Sequence, residues 1–120
     1  MKLFNSLFVG FVLATLSNSV FAADTAAKGA ITITAPVNDA VLQSAAGNKL
    51  EFNVKLSSNG NHVHIYIDDQ KPIVYRDVSR CPCSVDLPQL TSGKHTIAVK
   101  EATSSHALTG LESSVTATVK

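Results

Sequence analysis

Six residues in the C-terminal half of the chain carry the side chains best suited to chemistry: His62, His64, Cys81, Cys83, His95 and His106. Imidazole nitrogen and thiolate sulfur are the ligands that borderline and soft metal ions prefer. His62 and His64 are one residue apart, and on a strand that spacing puts both rings on one face, about 6.6 Å apart along the chain. Cys81 and Cys83 flank Pro82, and His106 follows two serines. A site drawn from His62, His64, Cys81, Cys83 and His106 suits Cu(I) or Zn(II), copper before zinc.

Each of these residues also has a plainer reading. Cys81 and Cys83 could form a disulfide or remain quiet thiols. In fully extended chain their α-carbons stand about 6.6–7.2 Å apart, at the upper limit for a disulfide, and a turn at Pro82 would shorten that. So small a loop stabilises little and is comparatively reducible. Cys83 shares parity with Val85 and Leu87, so it should point inward, whereas His62 and His64 point outward opposite Val63, Ile65 and Ile67. His62 and His64 could be no more than an exposed polar strand face, and His106 a loop residue. His95 reads as a structural residue at a sheet edge, hydrogen-bonded to a turn. Asp68 and Asp69 read as a turn pair, since calcium needs a denser set of oxygens.

Catalysis finds little support. There is no G-x-S-x-G motif and no glycine-rich phosphate loop after a strand. A Cys–His dyad would lack a pocket on a small convex domain. The reading is therefore a non-catalytic binding or accessory module, with a protein- or surface-interaction domain as the alternative.

The elements that must position these groups are strands. Leu50, Phe52, Val54 and Leu56 alternate with Glu51, Asn53 and Lys55, a period of two with one wet and one buried face. The same period runs through Ile31 and Ile33, Val63 to Ile67, Val85 and Leu87, Ile97 and Val99, and Val115 to Val119. Turn signals separate the runs at Asn59–Asn61, Asp68–Lys71, Ser92–Gly93 and Thr109–Gly110. About seven strands in so short a span predict an all-β fold, an antiparallel immunoglobulin-like β-sandwich over residues 30–120. In such a sandwich the connection before His62, the Cys81–Cys83 segment and the last hairpin gather at one end, with His95 at the other.

Two motifs carry a family resemblance. Ile31, Ile33 and Pro36, followed by Asn38, Ala40 and Val41, resemble the opening of bacterial immunoglobulin-like and fibronectin-III-like modules. Leu90, Gly93, His95, Ile97 and Val99 are similar to the L-x-x-G-x-H-x-I-x-V that precedes their penultimate strand. The resemblance implies the sandwich fold and says little about function, because that fold serves many purposes. Antibody domains differ in having a core Trp and a widely spaced Cys pair.

The N-terminus supplies an address. Lys2, the apolar run from Leu3 to Leu16, a polar break and then Val20 and Ala22 read as a signal peptide over residues 1–22. The run is shorter than the ~20 residues of a spanning helix, so no membrane span is expected after cleavage. Residues 23–29 read as a flexible leader. The expected location is periplasmic or secreted, where disulfides are permitted. The whole chain has 10 Lys and Arg against 9 Asp and Glu. Such a balance leaves nothing to hold a polyanion, so nucleic acid is not an expected partner. A metal ion or a periplasmic protein is.

Overall fold

The computed structural model describes residues 28–120. The expected signal peptide, and the leader up to residue 27, lie outside the described residues. The strands are β1 (Ala30–Ala35), β2 (Ala40–Leu42), β3 (Lys49–Lys55), β4 (His62–Ile67), β5 (Ile73–Tyr75), β6 (Cys83–Asp86), β7 (Gly93–Ala102) and β8 (Leu108–Val119), with one 3-10 turn at Val78–Arg80. They form a three-stranded sheet ordered β1–β3–β6 and a five-stranded sheet ordered β2–β8–β7–β4–β5. Among the described residues no helix is long and apolar enough to cross a membrane.

The two-residue period becomes the core directly. Leu50 and Phe52 of β3 are fully buried, as are Val63 and Ile65 of β4 and Ile97 and Val99 of β7. Val78, Leu87, Leu90, Val115 and Val119 complete the layer between the sheets. Phe52 meets Tyr75 edge-on, with ring centroids 5.5 Å apart, so the two sheets interlock through aromatic contact as well as aliphatic packing.

Two details refine the expected architecture. Among the described residues the strand count is eight, because Ala40–Leu42 forms a short strand of its own. That strand pairs in parallel with β8, so the sandwich is not wholly antiparallel. Between β1 and β2 the chain changes sheets, and Asn38 anchors the crossing. Its Oδ1 accepts the Thr116 N–H at 2.8 Å, while the Asp39 N–H reaches the Thr116 carbonyl at 2.7 Å.

The ends of β4 and β7 position the candidate histidines. β4 pairs antiparallel with β7, His62 opposite Ala102 and Ile67 opposite Ile97. The start of β4 and the end of β7 thus share one pole. Fully buried Glu101 organises that pole. Its carboxylate accepts the Ser57 N–H at 2.7 Å, the Ser57 hydroxyl at 2.6 Å and the Thr109 hydroxyl at 2.7 Å. Burial alone would raise the Glu101 carboxyl, but the Ser57 and Thr109 hydrogen bonds outweigh it and hold it below its ordinary value. Gly60 completes the fit, since a Cβ there would overlap the carboxylate. One acidic side chain therefore ties the connection before β4 to the first turn of β8.

Candidate metal centre

His62, His64 and Tyr66 alternate with the core residues of β4, so they occupy the outer face of the five-stranded sheet. The outward direction follows the expected parity, but the exposure does not. His62 is fully buried and His64 is 6% exposed. The cover is the β7–β8 hairpin, with Arg76 just past β5.

That hairpin is closed by the Thr103 N–H donating to the Ala107 carbonyl at 2.8 Å and the His106 N–H donating to the Thr103 carbonyl at 2.9 Å. The Thr103 hydroxyl also accepts the Ala107 N–H at 3.2 Å. This is a three-residue loop whose last residue must turn left-handed, a place that usually falls to glycine. Here it is His106, at φ 70°. A non-glycine residue in that region costs about 1–3 kcal/mol, and the backbone so held aims the ring down over β4.

Three ring nitrogens converge there. His62 Nε2 lies 3.1 Å from His64 Nε2. His106 Nδ1 lies 3.2 Å from each of them. The set is a near-equilateral triangle. Metal–nitrogen bonds of about 2.0–2.1 Å place the nitrogens of a tetrahedral site roughly 3.3 Å apart, so the three imidazoles already have the spacing of one tetrahedral face. A fourth position would be open for an outside ligand.

The protonation states suit the same use. Burial lowers the His62 pKa, and the Arg76, His106 and His64 charges lower it further. His64 is lowered by burial first, then by His106 and Arg76. Both rings are thus held neutral near pH 7, as metal ligands must be. Asn61 Oδ1 accepts the proton of His62 Nδ1 at 2.8 Å, which leaves the lone pair of Nε2 facing the centre of the triangle. A ring whose outer nitrogen is fixed by an oxygen acceptor is the usual arrangement of a ligating histidine.

The two cysteines of the expected site do not join it. Cys81 and Cys83 form a disulfide with each other. Cys83 pairs with Phe52 of β3 in the three-stranded sheet and is 3% exposed, within the core. The physical reason is parity: Cys83 points inward from its sheet, while His62 and His64 point outward from the other, so the core lies between them. Cys81 lines a shallow groove with Asn53, Val54, Leu56, Val78 and Ser79. Three of the five expected ligands, His62, His64 and His106, are brought together, with all three candidate ligand atoms within 4.8 Å of one another.

His95 sits at the opposite pole, as expected, held by the turn after β4. Its Nδ1 donates to Asp68 Oδ2 at 2.7 Å and its Nε2 to the Thr91 carbonyl at 2.7 Å. Three groups around the metal candidate were not singled out from the sequence: Asn61, Arg76 and Glu101. Asn61 falls among the turn signals, and neither Arg76 nor Glu101 has a partner visible nearby in sequence.

No protein-family model matches the chain, and no curated protein matches it. Among solved structures it is similar to the fibronectin(III)-like modules of Clostridium thermocellum CbhA. The TM-score is 0.58 with 22% sequence identity, and the match covers 75% of this chain and 96% of that one. At that level of identity the likeness is one of fold, and the fold is a fibronectin-III-like β-sandwich.

Proposed function

We propose that this chain is an exported, non-catalytic accessory module that binds a borderline divalent metal ion through His62, His64 and His106. The observation that carries the reading is the triangle of ring nitrogens at 3.1, 3.2 and 3.2 Å. With the sulfurs oxidised, the ligand set is all nitrogen. That moves the preferred copper state from Cu(I) to Cu(II), and the ordinary affinity series keeps copper ahead of zinc. Export is supported by the signal-like N-terminus and by a disulfide that an oxidising compartment permits.

The test is a chelator-competition titration of the purified protein with Cu(II) and Zn(II), beside the variant carrying His62→Ala, His64→Ala and His106→Ala. The variant should lose more than about 100-fold in affinity, since changes outside the ligand set alone cost about 10–100-fold. Equal affinities would remove the reading.

A second reading is a protein-interaction domain. Val74 and Leu108 favour it, being 44% and 48% exposed on strands that border the histidines. A partner captured equally well by metal-free and metal-loaded protein would support it over the first.

A further inference from the structure

We infer that Arg76 sets how tightly the centre holds its metal, by competing for the back of the His106 ring. The inference rests on the metal reading above and concerns the regulation of the same site.

β5 lies beside β4 with Val74 opposite His64. Arg76 lies just past the end of β5, next to Tyr75, which pairs with Val63. From there Arg76 Nη2 stands 3.2 Å from His106 Nε2. A guanidinium only donates, so Nε2 must accept, and its lone pair is used there. The single proton of the neutral ring is then on Nδ1. That is the atom that points at His62 Nε2 and His64 Nε2, and in the metal-free protein it can donate to His62 Nε2, whose lone pair is left free by the bond to Asn61.

Metal binding needs the other tautomer. The lone pair must be on Nδ1 and the proton on Nε2. An N–H at Nε2 then faces the N–H groups of Arg76, two donors with no acceptor between them. Arg76 must swing away, and its hydrogen bond to His106 is given up. In ligating histidines the far nitrogen normally donates to a carboxylate or carbonyl, which steadies the metal. Here the far nitrogen of His106 has the opposite kind of neighbour, whereas that of His62 has the usual one in Asn61. The centre therefore has one well-supported ligand and one that is easily displaced. A carrier that must release its ion needs such a ligand, and Arg76 is free to move because its side chain is at the surface.

Three variants test this by chelator competition with Cu(II) and Zn(II). Arg76→Ala removes the competing donor and should tighten binding by about 10-fold. Arg76→Glu supplies an acceptor to Nε2 and should tighten it by about 10–100-fold. Lys100→Glu makes the same change of charge beside His64 without facing Nε2, and should gain clearly less. If Arg76→Ala and Arg76→Glu bind no tighter than the unaltered protein, or if Lys100→Glu gains as much as Arg76→Glu, the inference falls. Nitrogen-detected NMR gives an independent readout: His106 Nε2 should be unprotonated without metal and protonated with Zn(II). An Nε2 already protonated in the metal-free protein would overturn the inference while leaving the three-histidine centre standing. If the unaltered protein binds no better than the triple alanine variant, the metal reading fails first and this inference with it.

Discussion

β4 and β7 carry imidazoles at both of their shared ends, and the neighbours differ in kind. At one pole His95 is clamped between a carboxylate and a carbonyl. Two acceptors demand two protons, so the ring is held as an imidazolium, and the Asp68 hydrogen bond, with that of Thr91, raises its pKa above 6.5. At the other pole His62 and His64 are buried against each other, His106 and a guanidinium, and their pKa values are lowered. The same residue type in the same sheet is thus a structural cation at one end and a neutral lone-pair donor at the other. The lesson is that a histidine's use is decided by whether its neighbours accept or donate.

The largest effect expected from breaking this contrast is at Glu101. Replacing it by Ala leaves the Ser57 N–H and two hydroxyls without their acceptor. The loss should be about 3 kcal/mol of stability, measured by urea unfolding. Because Glu101 holds both the approach to β4 and the start of β8, metal affinity should fall with it. A loss near zero would mean that the pole does not depend on that carboxylate.

A smaller and opposite effect is expected at His106. His106→Gly relieves the left-handed backbone and should raise stability by about 1 kcal/mol, while weakening Cu(II) and Zn(II) binding. A stability cost held for a ligand is the signature of a site. A variant that is both less stable and unchanged in metal binding would make His106 an ordinary cover residue.

The finest discriminator is pH. A raised pKa at His95 contributes stability that is fully present below 6.5 and is lost as pH rises through the folded value. The lowered values of His62 and His64 contribute stability present above 6.5 and lost as pH falls through their folded values. The two poles should therefore tilt the stability curve in opposite directions. His95→Asn should flatten the alkaline side, and the pair His62→Asn and His64→Asn the acid side. If both variants flatten the same side, the assigned protonation states are reversed at one pole. Metal affinity should also weaken on the acid side, as protons compete for the ring nitrogens.

Much of the fold was legible beforehand because a strand with one wet face writes its period into the sequence. Leu50 and Phe52, or Val63 and Ile65, announce both the element and the side that is buried. The same parity separates Cys83 from His62 and His64, although a shared pole had suggested that sulfur and imidazole would meet. The left-handed turn at His106 left a weaker trace, a tight hairpin with no glycine in Ser104–Ala107.

What the amino-acid order determined by itself is local: the alternation that makes strands, the pairing of His62 with His64 on one outward face, and the turn chemistry between the strands. Tertiary structure decided the rest. Residues 30 to 44 positions apart in the chain bring Arg76 onto His106, His106 onto His62 and Glu101 onto Ser57. Burial and proton placement depend on those meetings, because a pKa and a ligand geometry are properties of surroundings and not of a residue type.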